Sequence, residues 1–309
     1  MNTKTLFFVG LILCASGVLS APLALGAGLA YGLSFAHPFH SDSRVLSKFL
    51  LQASVVGLGF GMNLLEVLHA GRSGIVYTAA SISFVLAVGL MAGRLLRVNS
   101  ISSALISAGT AICGGSAIAA IAPILDADQD QIAVSLGTIF ILNSIALMIF
   151  PALGWALHLS QSQFGLWSAL AIHDTSSVVG ATARYGAVSL AVGTTVKLTR
   201  ALWIAPLAAG TAVIKGSRTR IHWPWFILLF CLATMVNTYI PAAAHLSQQL
   251  SNLGRLGLTA TLFLIGTSLS RATLQQVGVR PLVQGVILWM VVGLTSLWFI
   301  VQGWIALQL

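Results

Sequence analysis

Uninterrupted apolar runs of about twenty residues recur along almost the whole chain, for example Ile75–Gly93 and Leu282–Leu307. A run of that length is what an α-helix needs to cross the hydrocarbon layer of a bilayer. Only 7% of the 309 residues are charged, and 57% are hydrophobic. A soluble domain carries about a quarter of its residues as charged groups to form a solvated surface. This chain cannot build such a surface, so lipid is its expected solvent. A transmembrane β-barrel would show alternation over about ten residues instead of continuous runs. The expected fold is therefore all-α and polytopic.

Nine full spans are expected. Two are amino-terminal, Thr5–Leu19 and Leu23–Ala36, the first resembling a secretory signal but read as a helix broken near Pro22. The others are Phe49–Leu68, Ile75–Gly93, Ile132–Leu157, Val188–Ile214, Trp223–Ile240, Leu250–Leu269 and Leu282–Leu307. Two more segments, Ile101–Leu125 and Phe164–Gly186, are apolar but interrupted by Gly, Ser and Thr. They read as broken or re-entrant helices, tolerated in a membrane only where protein or a cavity satisfies the freed backbone. All 309 residues are expected to form a single integral membrane domain, with a core around 100–214 and a scaffold from the remaining helices.

The net charge of +9 does not point to nucleic acid, because the basic residues gather in short loops at helix ends. There they act as topology signals: Arg44 with Lys48, Arg94 with Arg97, Lys215 with Arg218 and Arg220, and Arg271 with Arg280 all fall on the cytoplasmic side. Arg72 is the exception. An inner or plasma membrane location follows. Cys14, Cys113 and Cys231 show no metal-ligand or disulfide spacing, so no metal or cofactor is expected.

Self-comparison points to an inverted repeat. Ala133–Leu136 recurs as Ala187–Leu190, and Gly59–Gly71 can be set against Gly266–Gly278 with the same glycine spacing. Inverted repeats with discontinuous helices are an architecture of many secondary transporters.

Few residues inside the apolar runs can carry chemistry. Glu66 and Asp174 are the only acids there, and Lys197 and Arg200 lie well within Val188–Ile214. A charge at the centre of a membrane helix costs about 2.5–3.5 kcal/mol, so two within one turn need a reason. Either they form a structural ion pair, with Asp174 or Glu66 as partner, or they line an anion subsite. Thr110, Gly114, Gly115 and Ser116 sit in a small, polar stretch where an opened helix would offer backbone and hydroxyl donors to an anion. His173, Asp174 and Ser176 belong to the most polar run in any apolar segment. His173 and Asp174 are the candidate proton carriers, and Ser176 a substrate contact. Arg184 either marks a membrane edge or pairs with Asp174. Asn143 aligns with Lys197 in the repeat and reads as interhelical glue.

At these residues the sequence resembles the YeiH family of membrane proteins, whose label is sulfate export. Ser107–Pro123, Ala171–Gly186, Lys197–Leu207 and Trp223–Phe230 carry the resemblance. It implies an inner-membrane protein of the cation/proton antiporter and anion transporter superfamily. Many members carry a glutamine shortly after the His-Asp or His-Glu pair, where this chain has Ser177. The expected activity is secondary active transport of a small anion, such as proton-coupled export of sulfate or a related oxyanion or sulfonate. A cation/proton antiporter built on Asp174 and Lys197 is the rival within transport, and an intramembrane enzyme using His173 the rival outside it. Neither a Ser-containing nucleophile elbow nor a phosphate-binding loop is present, so no enzyme activity is expected. The expected partners are the anion and the bilayer, with a homo-oligomer allowed.

Overall fold

The computed structural model describes residues 3–19, 21–35, 39–215, 225–268 and 277–305, and within them the side chains of residues 66–77 lie outside the description. Glu66 and Arg72 are therefore outside the described side chains, as are those of Arg44 and Lys48; Arg218, Arg220 and Arg271 lie outside the described residues altogether. Every regular element among the described residues is helical. The helices are α1 (Thr3–Ala15), α2 (Ala21–Ser34), α3 (His40–Gly59), α4 (Leu64–Leu95), α5 (Ser100–Ala111), α6 (Gly115–Ile121) and α7 (Gln129–Ala156). They continue as α8 (Gln161–Ala171), α9 (Thr175–Tyr185), α10 (Ala187–Leu202), α11 (Ile204–Lys215), α12 (Trp225–Tyr239), α13 (Ala244–Ser268) and α14 (Val279–Val301).

Among the described residues, three helical stretches are long and apolar enough to cross a membrane: Thr78–Leu95, Asp130–Ala156 and Val279–Val301. A fourth is added if Phe226–Tyr239 and Pro241–Thr267, bent by 106° at their junction, form one broken span. Several expected spans are divided instead. Phe49–Leu68 divides at the turn after Gly59, where Leu64 N–H donates to the Thr238 hydroxyl at 2.8 Å and Asn63 Oδ1 accepts from Leu65 N–H at 2.8 Å. Val188–Ile214 divides at Trp203. Pro206 has no N–H to give the carbonyl four residues back, so the ladder is interrupted there. Pro241 has the same effect between α12 and α13.

The chain forms two compact units, Met1–Leu68 with Pro224–Arg271, and His69–Trp223 with Ala272–Leu309. In the first, α1, α2 and α13 share a core of Phe7, Cys14, Ala24, Tyr31, Ala260, Phe263 and Leu264. The amino-terminal segment is thus a packed helix, tied to α2 by the Tyr31 hydroxyl donating to the Thr3 carbonyl at 3.0 Å. The helices α3 and α13 cross on glycine: a Cβ on Gly57 would stand 3.0 Å from the Gly254 Cα. Small residues allow this backbone approach, which is where much of the packing energy between apolar helices arises.

The second unit contains the interrupted segments. Its helices α4, α5 and α14 are joined by Gln284, a fully buried amide whose Nε2 donates to Gly89 O at 2.9 Å and Ser103 Oγ at 2.9 Å. Trp167 of α8 stacks on Phe150 of α7 with ring centroids 4.3 Å apart, and its indole N–H donates to Gly293 O of α14 at 2.9 Å. These contacts fix α7, α8 and α14 as supports for the two breaks.

Candidate functional site: two helix breaks beneath two buried cations

Each interrupted segment begins as a well-capped helix and then stops short. Asn99 accepts from Ile101 and Ser102 N–H at the start of α5, and Ser160 forms a capping box with Gln163 at the start of α8. Such caps satisfy N–H groups that a helix leaves without internal partners. The first break, Ile112–Gly114, separates α5 from α6; the second, Ile172–Asp174, separates α8 from α9. Gly114 has φ +68°, a conformation that costs a residue with a Cβ about 1–2 kcal/mol. It ends the α5 ladder and lets α6 start in a new direction.

The two breaks meet. A Cβ on Gly114 would stand 3.1 Å from the Asp174 Cβ and 3.3 Å from the Ile139 Cγ2. Asn143, one turn further along α7, accepts from His173 N–H through Oδ1 at 3.2 Å. Residues four apart share a helix face, so one face of α7 serves both breaks.

A helix that stops leaves its last carbonyls without N–H partners, at the negative end of its dipole. Here α10 supplies the partners. Lys197 Nζ donates to Ile172 O at 2.6 Å and to Ala169 O at 3.4 Å. Arg200 donates from Nε to Ala111 O at 2.5 Å, from Nη1 to Leu170 O at 2.6 Å and Ala169 O at 3.4 Å, and from Nη2 to Thr110 O at 3.3 Å. Both side chains are fully buried. Arg200 therefore joins the carboxyl ends of α5 and α8, and Lys197 adds a second cation at the end of α8. The expected pairing with Asp174 is not what holds them; their hydrogen bonds go to main-chain oxygens.

Asp174 is the amino-terminal cap of α9. Its Oδ1 accepts from Ser177 N–H at 2.8 Å and its Oδ2 from the Ser176 hydroxyl at 2.7 Å. Ser176 thus donates to Asp174. Arg184 stands away from Asp174, exposed at the end of α9 with its guanidinium 5.3 Å from the Trp155 ring centroid. Ser116 is exposed and Gly115 half-buried, whereas Thr110, Gly114, His173, Asp174, Ser176, Lys197 and Arg200 are buried.

Several buried polar atoms have no hydrogen-bond partner among the described residues. They include both ring nitrogens of His173, Asn143 Nδ2, the Thr110 hydroxyl and the Thr194 hydroxyl. Asn143, expected from sequence to act as interhelical glue, does join α7 to the second break through its bond with the His173 N–H, and its Nδ2 is among the atoms without a partner. Among the described residues no group of three or more His, Cys, Asp or Glu is placed to hold a metal ion. An apolar cavity of about 530 Å³ between α4, α8 and α14 reaches Leu170, but its lining is dominated by residues such as Phe84, Val292 and Phe299. It adjoins the cation-capped end of α8 without containing the polar atoms.

Comparison with known proteins accounts for nearly the whole chain. The family described as conserved hypothetical protein 698 matches residues 13–285. A UPF0324 membrane protein of Geobacter sulfurreducens is 50% identical, over 97% of this chain and 97% of its own. One from Bacteroides thetaiotaomicron is 50% identical over 92% of this chain and 87% of its own, and one from Shewanella oneidensis 43% identical over 96% and 94%. No solved structure matches. An all-helical, charge-poor chain with relatives of this kind is a membrane protein, and it belongs to the conserved hypothetical protein 698 family, in company with the UPF0324 membrane proteins.

Proposed function

We propose that the protein is a multi-pass secondary transporter of the inner or plasma membrane that moves a small oxyanion or sulfonate, sulfate among the candidates, in exchange for or together with a proton. The observation that supports this most is the meeting of two helix breaks, at Gly114 and Asp174, beside the two buried cations of α10. Broken helices leave polar backbone in an apolar segment, which is tolerated where it lines a substrate path. Two cations against one carboxylate give that path a positive balance, favourable for an anion. The shared element order, half-helix, break, half-helix and following helix, in α5–α7 and α8–α10 is what a repeat, direct or inverted, would give. In this reading Thr110, Gly114, Gly115, Ser116 and Ser176 flank the anion path, and His173 with Asp174 handles the proton.

The two rivals fit less well. A cation antiporter would bring a further positive charge to a carboxylate that stands beside two buried cations, with one lone pair on each oxygen already committed to a hydrogen bond. A hydrolase using His173 needs a hydroxyl bonded to the ring, whereas Ser176 donates to Asp174 and the ring nitrogens have no partner among the described residues.

Purified protein in liposomes, offered labelled sulfate, sulfite and small organic sulfonates under imposed pH gradients, tests the reading. Uptake of at least one anion above protein-free vesicles, reduced in Lys197→Gln, is expected. Glutamine keeps a donor for the Ile172 carbonyl but removes the charge. Uptake equal to empty vesicles for every anion overturns the transport assignment.

A further inference from the structure

The unpartnered polar atoms beside the breaks have an unbalanced inventory. His173 is 1% exposed and Asn143 and Thr110 are each 2% exposed, so their free atoms are shielded from bulk water. The Asn143 amide orientation is set by chemistry: only its oxygen can accept the His173 N–H, so its amino group, with two N–H donors, is the free end. The Thr110 hydroxyl donates and accepts. A neutral imidazole presents one N–H and one lone pair. Lys197 and Arg200, by contrast, have donors directed to main-chain carbonyls.

A buried polar group without a partner costs about 1–3 kcal/mol, so several of them beside the two breaks favour a ligand that pairs them. While the imidazole is neutral, an oxyanion with only acceptor oxygens satisfies the donors of Asn143, Thr110 and His173 but leaves the imidazole lone pair facing another lone pair; the protonated ring, a donor at both nitrogens, makes no such distinction. An oxyanion bearing a hydroxyl or an acidic proton satisfies all of them.

We propose that His173, Asn143 and Thr110 form the polar face of the substrate site and select an oxyanion that carries its own hydrogen-bond donor over one that has only acceptors. This rests on the anion-transport reading and narrows it. His173 is then a specificity-determining residue that accepts from the substrate, and Asn143 grips its oxygens.

Matched probe pairs test the selection on purified protein in nanodiscs, with binding read by calorimetry. Hydrogen phosphate and sulfate at about pH 8.5 carry the same charge and differ by one proton. Isethionate and ethanesulfonate differ by one hydroxyl. The wild type is expected to favour the donor-bearing member of at least one pair about tenfold, a modest figure for a site built to pair a hydroxyl. His173→Phe should remove that preference by weakening the donor-bearing member to the level of the acceptor-only one; Asn143→Leu, which should weaken both members of a pair, is read in its place if the phenylalanine variant does not fold. Equal binding within both pairs, or preference for the acceptor-only members, overturns the selection while leaving anion transport standing. A preference that survives His173→Phe removes His173 from it. Failure of all four probes to bind, together with failure of uptake in liposomes, overturns both.

Discussion

Lys197 and Arg200 converge on one carbonyl: Lys197 Nζ and Arg200 Nη1 each lie 3.4 Å from Ala169 O. Three residues apart on α10, they share a face, and that face closes the carboxyl end of α8. Arg200 also reaches Thr110 and Ala111 at the end of α5. The two cations are therefore the fasteners of the broken-helix pair as well as its source of positive charge.

Arg200→Met is expected to be the most destabilising single change in the second unit. It leaves carbonyls of both half-helices without donors, at about 1–3 kcal/mol for each buried acceptor that finds no substitute. Arg200→Lys should recover only part of the loss, because an ammonium cannot span two helix ends as the planar guanidinium does. Thermal melts in detergent should rank wild type above lysine above methionine; a methionine variant as stable as wild type contradicts the capping role.

Gly114 and Gly115 should respond differently to alanine. Gly114 has φ +68° and its Cβ would approach the Asp174 Cβ at 3.1 Å, so Gly114→Ala combines strain with a clash between the breaks. A loss of about 1–2 kcal/mol and of uptake is expected. At Gly115 the nearest atom to an added Cβ is the Leu136 Cδ2 at 3.3 Å, a flexible side-chain end, so Gly115→Ala should be mild. Equal effects at the two positions would show that the break geometry is not what matters.

Asp174 caps α9, and the proposed transport would give it a second, separable role. As the α9 cap it is replaceable by asparagine but not by alanine, the latter costing about 0.5–2 kcal/mol. As a proton carrier it is replaceable by neither. Asp174→Asn should keep near-native stability and bind anion, yet lose the response of uptake to an imposed pH gradient. A pH-responsive Asp174→Asn protein assigns the coupling proton to another group, and a melting loss as large as that of Asp174→Ala contradicts the capping geometry.

Gln284→Leu tests whether the support behind α5 matters at a distance. It removes the amide that donates to Gly89 O and Ser103 Oγ in a fully buried contact. Stability should fall by about 1–3 kcal/mol. An unchanged melt would show that the crossing of α4, α5 and α14 relies on packing alone.

The sequence by itself determined the helical class and lipid as solvent, because continuous apolarity and scarcity of charge are properties of the chain without reference to contacts. It also located both interruptions, since a Gly-Gly pair and a His-Asp-Thr-Ser-Ser run disrupt a helix locally, and the structure breaks at Ile112–Gly114 and Ile172–Asp174. Helix continuity was less legible: Phe49–Leu68 and Val188–Ile214 read as single apolar runs but divide near Gly59 and Trp203, where hydropathy carries little signal for a turn. Only the tertiary structure decided what the polar residues do. Arg200 meets Ala111 across 89 positions of sequence and Lys197 meets Ile172 across 25, so no local pattern could show that these cations cap helix ends and do not pair with Asp174. Asn143 bonds between helices as glue does, but only folding showed that its partner is the His173 N–H and that its amino group has no partner among the described residues. Hydrogen-bond satisfaction is settled by which groups the fold brings within about 3 Å of each other, and that depends on the whole chain.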